Sequence, residues 1–291
     1  MKEIIVKTPA KVNLFLDILT RERDGFHKIV TLFQAIKLYD IIKISKADFT
    51  EISIIPNGIE IKHNIIEDIL QELRSRRQIK ENFKIILFKN IPIGAGLGGG
   101  SSDAAGVLIG INSLLNLNLS TKEIKEILSS IGSDTLFFIN GGIQFGIHYG
   151  EMLERTDAKF NYYILLVYPG FSISTKEAYN LLEPSLFRKG GNRLKNIINA
   201  IDEKNLDKLI SNLYNIFEMT EFKRYSILAE IKRSLIEEGA ENAILSGTGS
   251  TVYGIFKERG EAEDALKRLT SRYQKVILTE PLYEGIKIEE E

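Results

Sequence analysis

A glycine-rich stretch in the first half of the chain constrains this sequence more than any other feature. Residues 94–100 contain five glycines, and glycine buries no side chain and costs backbone entropy on folding. Such a run lets the main chain approach a ligand closely and turn its amide N–H groups inward. Ser101 and Ser102 follow where a helix should begin, with free donors and the positive end of the helix dipole. The stretch therefore predicts an anion cradle that suits phosphate.

The spacing of the glycines does not fit the common phosphate-binding loops. A P-loop requires Lys after its second glycine, and Gly100 stands there. Gly94, Gly96 and Gly99 fit G-x-G-x-x-G, but a dinucleotide fold also needs a strand ending in Asp or Glu about 20 residues on. That region has the pattern of a helix end. A protein-kinase loop would have Val at Ser101, and neither H-R-D nor D-F-G follows. A flexible linker is disfavoured because a linker rarely joins a strand directly to a capped helix.

Composition limits the class of protein and its partners. The 291 residues suffice for one large or two ordinary domains. A net charge of −1 gives no bulk attraction to nucleic acid or anionic membrane, so we expect neither as a partner. The absence of cysteine excludes disulfides, thiolate nucleophiles and zinc–sulfur sites, and the three histidines show no metal-ligand spacing. No signal peptide and no apolar run of membrane-spanning length is present, which predicts a cytoplasmic protein.

Hydrophobic periodicity predicts a mixed chain of strands and helices without internal repeats. The first strand is expected to break at Pro9, which cannot donate a ladder hydrogen bond. A turn is expected at residues 56–58, and residues 284–291 have the composition of a solvated tail. The predicted strands are residues 4–7, 12–19, 38–45, 52–55, 83–88, 143–146, 162–168, 243–256 (two strands around a turn) and 275–279. The predicted helices are residues 64–76, 104–115, 124–130, 193–201, 206–217, 225–238 and 261–269.

Several short segments, in order along the chain, together resemble the GHMP small-molecule kinases. Residues 92–105 read P-I-G-A-G-L-G-G-G-S-S-D-A-A, which is similar to the phosphate loop of that family. Residues 9–16 (P-A-K-V-N-L-F-L), 24–27 (D-G-F-H), 132–138 (G-S-D-T-L-F-F), 169–179 and 243–256 resemble other family motifs. The resemblance implies an α+β, two-domain fold. Its first domain, residues 1–158, would be ribosomal-protein-like and ATP-binding. The second, residues 159–291, would be ferredoxin-like, with its last strand free to return to the first domain.

The form of the loop is most similar to the branch of the family that phosphorylates a cytidine diphosphate-linked methylerythritol in non-mevalonate isoprenoid synthesis. This implies an enzyme that transfers phosphate from ATP to the 2-hydroxyl of that polyol, with Mg²⁺ as cofactor and a hydroxyl of Ser101 or Ser102 as possible ligand. Asp134 would accept the proton of the hydroxyl, assisted by Lys11. The implied substrate-binding residues are Asn13, Phe26, His27, Thr175, Tyr179, Gly247 and Gly249. The implied ATP-binding residues are Pro92, Ile93, Gly94, Ala95, Gly96, Leu97, Gly98, Gly99, Gly100, Ser101 and Ser102.

Two departures from the family pattern and two other functions stay open. Thr135-Leu136 replaces the usual Val-Pro, and Ile216 replaces an aspartate. Another GHMP kinase, acting on mevalonate or homoserine, would share the loop, but the D-G-F-H segment argues against it. A non-catalytic nucleotide or RNA binder is disfavoured by the neutral charge and by the pairing of Lys11 with Asp134. The sequence leaves monomer and homodimer equally open.

Overall fold

The computed structural model describes residues 3–23, 25–56 and 64–290. Its strands form two sheets. The larger sheet has the order β12-β1-β2-β4-β3, with β5 and β6 continuing from β2 and β8 joining β1; the smaller has the order β11-β7-β10-β9. The strands are β1 (Glu3–Arg21), β2 (His27–Ala47), β3 (Glu51–Ile55), β4 (Asn82–Phe88), β5 (Ile143–His148), β6 (Met152–Thr156), β7 (Tyr163–Tyr168), β8 (Tyr214–Asn215), β9 (Asn242–Leu245), β10 (Val252–Phe256), β11 (Lys275–Thr279) and β12 (Lys287–Glu290).

Ten helices within the described residues cover these sheets. The α+β class is confirmed, and the end signals of several helices are those predicted. Asn64 caps α1 by accepting a hydrogen bond from the Ile66 amide at 3.2 Å, and Ser120 forms a capping box with Glu123 at the start of α3. The helices are α1 (Ile65–Arg77), α2 (Gly99–Leu115), α3 (Thr121–Ile131), α4 (Phe137–Asn140), α5 (Thr175–Leu181), α6 (Gly191–Asp202), α7 (Leu206–Ser211), α8 (Glu218–Arg224), α9 (Ser226–Glu237) and α10 (Arg259–Thr270).

The predicted break of the first strand at Pro9 is wrong. β1 is one strand of 19 residues that pairs with β2 along almost its whole length. The pairing register shifts between Pro9 and Ala10, so a bulge absorbs the missing N–H group of the proline. β2 is also longer than predicted, because it begins at His27 and its residues 27–34 pair with residues 12–21, the C-terminal half of β1. This long hairpin places Lys11 and Asn13 on one strand and His27 at the start of the neighbouring strand.

Other boundaries differ from prediction where burial overrides local pattern. The helix predicted over residues 206–217 ends at Ser211, and β8 then pairs in parallel with Phe15 and Leu16. α2 begins at Gly99 rather than at residue 104, because Gly98 supplies a left-handed cap with φ of 72°. The predicted solvated tail contains β12, which is antiparallel to β1. Residues 57 and 58 of the predicted turn lie outside the described residues.

Two hydrophobic clusters fill the interior. One packs α1, α2 and α3 against the outer half of the larger sheet, with Ile42, Ile85 and Val107 fully buried or nearly so. The other joins Val12 and Leu14 of β1 to the strands and helices of the smaller sheet. This second cluster contains residues of both predicted domains and therefore does not mark a boundary between them. The boundary at residue 158 stays a prediction.

Candidate active site

The glycine-rich stretch is anchored through its carbonyl groups. This segment, residues 92–102, is called the phosphate loop below. Four successive carbonyl oxygens, from residue 94 to residue 97, accept hydrogen bonds from other parts of the chain. The bonds are Ile173 N to Gly94 O (3.3 Å), Thr251 N to Ala95 O (3.2 Å), Ser246 Oγ to Gly96 O (2.9 Å) and Lys11 N to Leu97 O (3.0 Å).

The amide groups of the same stretch are available to bind a ligand. None of the amides of residues 96–101 donates a hydrogen bond to any described residue. α2 has no side-chain cap, so its first amides are unsatisfied and carry the positive end of the helix dipole. The Ser102 amide is an exception, because it donates to Gly98 O at 2.9 Å. The sequence placed this amide among the phosphate donors, whereas here it closes the first helical turn.

Close packing explains why two of the loop residues are glycine. A Cβ atom on Gly96, whose φ is 77°, would lie 2.0 Å from the carbonyl oxygen of Ser246. One on Gly98, whose φ is 72°, would lie 2.7 Å from the Phe138 ring and 3.0 Å from the Lys11 side chain. Both the backbone conformation and the space therefore require glycine.

A second glycine turn, residues 246–251, supports the phosphate loop from the C-terminal half. Gly247 and Gly249 have φ of 55° and 96°, and Gly247 lies against the backbone of Gly96. The buried amide Nδ2 of Asn215 donates to the carbonyls of Leu245 and Gly247, at 2.7 Å each. The family-like pattern N-I-F-E draws attention to Asn215, but only the fold shows that it holds this turn.

Lys11 and Asp134 meet at the mouth of the phosphate loop. Lys11 Nζ lies 3.8 Å from Asp134 Oδ2, with the two side chains 5% and 31% exposed. A Cβ atom on Gly247 would lie 3.5 Å from the same Nζ. Burial lowers the pKa of Lys11, and the negative charge of Asp134 opposes this shift. The predicted convergence of a lysine from β1 with an aspartate from the loop before α4 is present.

The side chain of Asn13 orients Lys11, and both of its polar atoms are hydrogen-bonded within the protein. Its Oδ1 accepts a hydrogen bond from Lys11 Nζ at 2.7 Å, and its Nδ2 donates to Thr31 Oγ1 at 2.8 Å. Thr31 in turn donates to the carbonyl of Phe15, and Tyr253 donates its hydroxyl to the carbonyl of Asn13, both at 2.8 Å. Thr31 was missed by sequence reasoning, because a lone threonine in a strand carries no signal.

Aromatic side chains gather at the other end of the site. The ring of His27 is buried, and its centroid lies 5.1 Å from the ring centroid of Tyr179 and 5.9 Å from that of Phe187. Its Nε2 has no hydrogen-bond partner within the described ranges. Burial lowers the pKa of His27, and the nearby Arg21 lowers it further, so the ring is neutral at pH 7. A buried polar nitrogen without a partner is a natural contact for the edge of a base.

The remaining predicted residues frame this aromatic end. Phe26 is 64% exposed, with its ring 5.7 Å from Tyr149. Tyr179 packs on Phe217, and burial and the charge of Asp134 raise the pKa of its hydroxyl. Thr175 Oγ1 lies 3.4 Å from Thr248 Oγ1 of the second glycine turn. Beside His27, a pocket of about 400 Å³ is lined by Leu19, Thr20, Arg21, Pro184, Phe187 and Arg188.

Comparison with known proteins shows the family to which the chain belongs. The family profile of the GHMP kinases N terminal domain matches residues 64–143, and that of the GHMP kinases C terminal domain matches residues 194–275. A 4-diphosphocytidyl-2-C-methyl-D-erythritol kinase of Syntrophomonas wolfei is 38% identical, over 95% of this chain and 98% of the relative. One from Caldanaerobacter subterraneus is 37% identical, over 97% and 98%.

Solved structures give the same result. The crystal structure of a 4-(cytidine 5'-diphospho)-2C-methyl-D-erythritol kinase has a TM-score of 0.78 and 25% identity, covering 95% of this chain and 98% of that one. A homoserine kinase from Cytophaga hutchinsonii also has a TM-score of 0.78, but at 17% identity it shows the fold alone. The chain therefore belongs to the GHMP kinase family, within the group of the 4-diphosphocytidyl-2-C-methyl-D-erythritol kinases.

Proposed function

We propose that this protein transfers the terminal phosphoryl group of ATP to the 2-hydroxyl of 4-diphosphocytidyl-2-C-methyl-D-erythritol. The observation that carries the proposal is the meeting of Lys11 and Asp134 at 3.8 Å beside an amide-lined loop. The names of the relatives support the choice of acceptor. Phosphoryl transfer depends on positioning and charge neutralisation rather than on covalent chemistry, and the site offers both.

The donor end of the reaction belongs to the phosphate loop. Its carbonyl groups are occupied by the protein, so the amides of residues 96–101 can be directed at the ATP phosphates without reorganisation. The dipole of α2, a helix of 17 residues, adds positive potential at the same point. Pre-organised donors of this kind stabilise the negative charge that the transferred group carries.

The acceptor hydroxyl would lie between Asp134 and Lys11. Asp134 accepts its proton as the new O–P bond forms. The Lys11 ammonium, buried and oriented by Asn13, stabilises negative charge on the attacking oxygen. Asn13 thus acts through Lys11, and we propose this role for it in place of direct contact with the polyol.

A magnesium ion fits the residues at the start of α2. No group of three or more His, Cys, Asp or Glu side chains among the described residues could hold a metal ion. Mg²⁺ does not need one, because it is commonly bound by one or two protein oxygens together with phosphates and waters. The buried hydroxyl of Ser102 has no partner in the part of the chain described. Ser102, or Ser101 before it, would supply that oxygen, and the ion would neutralise phosphate charge.

The cytidine end is assigned to the aromatic group. His27 Nε2 would meet the base edge, and the rings of Phe26 and Tyr179 would cover its faces, with stacking worth about 1–3 kcal/mol per base. Thr175, Gly247 and Gly249 would line the path between base and polyol. A cytoplasmic location and the choice between monomer and homodimer stay predictions. No helix of the described residues has the length and apolar character needed to cross a membrane.

An acceptor panel tests the proposal. ADP release is measured with 4-diphosphocytidyl-2-C-methyl-D-erythritol, mevalonate and homoserine, against a control without acceptor. We expect turnover above the control only with the cytidine-linked polyol. Turnover with mevalonate or homoserine instead would assign the protein to another GHMP kinase activity. If none of the three acceptors raised ADP release above the control, the proposal would be contradicted.

A further inference from the structure

A buried group of three ionisable side chains, Asp40, Lys89 and Asp103, lies next to the phosphate loop. We call it the ion triad. Lys89 Nζ is 2.5 Å from Asp40 Oδ2 and 2.8 Å from Asp103 Oδ2. The three side chains are at most 5% exposed. The proposed mechanism uses none of them, so this burial of charge calls for another explanation.

The ion triad ties both ends of the phosphate loop together. Asp40 Oδ1 accepts hydrogen bonds from the amides of Asn90 (2.6 Å) and Ile91 (2.9 Å), directly before the loop begins. Asp103 belongs to the first turns of α2, into which the loop leads. Lys89 bridges the two carboxylates. The chain that enters the loop and the helix that leaves it are thereby joined through a single ammonium group.

The sheet beneath provides a further anchor. Thr8 of β1 donates its hydroxyl to Asp103 Oδ1 at 2.9 Å, and Asp40 is fully buried within β2. A Cβ atom on Gly99, the first residue of α2, would lie 3.1 Å from Lys89 Nζ. The ammonium group is therefore packed against the first turn of α2, whose leading amides make no hydrogen bond to the described residues.

Stability alone does not account for such a group. Removing each ion from water costs several kcal/mol, and well-packed apolar side chains often serve equally well or better. What charged groups add is a set of short, directional bonds with a defined geometry. The phosphate loop needs such bonds from neighbouring segments, because its glycines have no side chains that could fix the conformation of the loop.

We propose that the ion triad positions the phosphate loop for ATP. It fixes the separation of the loop's two ends, and hence the direction of the amides of residues 96–101. Asp40, Lys89 and Asp103 are positioning residues that touch no substrate. The inference rests on the proposed function only in taking ATP as the ligand of the loop.

Two substitutions of Asp103 separate positioning from packing. D103L leaves Lys89 paired one-to-one with Asp40, so no buried charge is stranded, but it cuts the bridge to α2. D103N keeps the bridge, because the amide oxygen can accept from Lys89 while its NH₂ group donates to Thr8. The dissociation constant of ATP is measured calorimetrically without acceptor. We expect D103L to raise it about tenfold, equivalent to the loss of one charge-assisted bond, and D103N to change it less than about threefold.

The matched control is Glu221→Gln, which neutralises another fully buried carboxylate, paired with Arg224 in α8 and making no bond to the loop. It should leave the ATP dissociation constant unchanged. If D103L does not fold, Thr8→Val, which removes only the hydroxyl and with it the hydrogen bonds to Asp103 Oδ1 and the Asp40 carbonyl, should raise the constant about twofold to threefold. ATP binding to D103L or Thr8→Val as tight as to the wild type would overturn the inference, as would equal weakening in Glu221→Gln. A wild type that binds no ATP would instead contradict the proposed function.

Discussion

At the scale of single residues, the proposed chemistry depends on a lysine and an aspartate that lie within ion-pair distance. Lys11 is almost fully buried, yet Asp134 lies 3.8 Å away and Asn13 accepts its hydrogen bond at 2.7 Å. Burial lowers the pKa of Lys11 and so weakens its hold on its proton, whereas Asp134 opposes this change. In the proposed mechanism, Asp134 accepts the proton of a hydroxyl placed between the two side chains, and the Lys11 ammonium stabilises the negative charge that develops there.

Replacing Asp134 by Asn should abolish most turnover without weakening ATP binding. The amide cannot take the proton of the hydroxyl, so we expect kcat to fall by about 10²- to 10⁴-fold. The phosphate loop is untouched, so the dissociation constant of ATP should stay within about twofold of the wild type. Asp264→Asn, at a carboxylate 58% exposed on α10, is the control. A retained kcat in Asp134→Asn would remove Asp134 from its role.

His27 predicts the pH dependence of acceptor binding. Its pKa is lowered from 6.5 by burial and by Arg21, and the rings of Tyr179 and Phe187 offer no counter-charge. The acceptor KM should therefore be constant from about pH 8 down to pH 6.5 and rise only at lower pH. Because the unfolded chain takes up this proton near pH 6.5, stability should also begin to fall there.

Steady-state kinetics and thermal unfolding over this pH range test the His27 prediction. In the variant His27→Gln, the rise in acceptor KM at low pH should disappear. A wild-type KM that already rises well above pH 6.5 would show that another group controls acceptor binding.

At the scale of elements, the candidate site is built on two glycine turns from the two halves of the chain, which hydrogen bonds hold together. The carbonyls of the phosphate loop accept hydrogen bonds from Lys11, Ile173, Ser246 and Thr251, and the amides of residues 96–101 make no hydrogen bond to the described residues. The second turn is held by Asn215, which β8 delivers between α7 and α8. Ile216, which stands where the family has aspartate, is fully buried in the core. The departure at this position therefore serves packing.

Replacing Asn215 by Ala should loosen the second turn and, through it, the phosphate loop. Two buried carbonyls would lose their donor, which costs about 1–3 kcal/mol of unfolding free energy. The KM for ATP should rise together with this loss, because Ser246 and Thr251 would no longer hold the loop firmly. Urea unfolding and steady-state kinetics check both effects. The control is Asn196→Ala, which removes a bond to Asn212 within the helical layer. Loss of stability with an unchanged KM for ATP would contradict the coupling.

At the scale of the whole molecule, the two predicted domains share structure. β8 and β12, from the C-terminal half, pair with β1, and Tyr253 of the smaller sheet donates to Asn13 of the larger. One hydrophobic cluster contains residues of both sheets. Residues of the candidate site from the two halves can therefore stay in register without a rigid linker.

This sharing predicts that the chain unfolds as one unit. Differential scanning calorimetry should show a single transition whose van't Hoff and calorimetric enthalpies agree, which is the test for two-state unfolding. We expect ATP to shift that transition upwards as a whole, because ligand binding to the native state stabilises everything that unfolds with it. Two resolved transitions, of which only one responds to ATP, would show that the halves unfold independently.

The sequence by itself predicted those parts of the site that reside in contiguous residues. A run of glycines before two serines specifies an amide-lined turn because few other backbones tolerate it. The capping residues Asn64 and Ser120 predicted their helices for a similarly local reason. The resemblance to GHMP kinases added Lys11 and Asp134, whose types alone would indicate only solvated charges.

Only the tertiary structure decided which residues meet. Burial turned part of a predicted helix into β8, and the bulge at Pro9 made two predicted strands into one. Thr31, Asn215 and the ion triad acquire roles solely from partners that are distant in sequence. Hydrogen bonds and ion pairs between distant segments depend on how the chain folds back on itself, and local sequence patterns do not predict these contacts. The sequence therefore determined the phosphate loop, and the fold determined what holds the loop and what lies at its mouth.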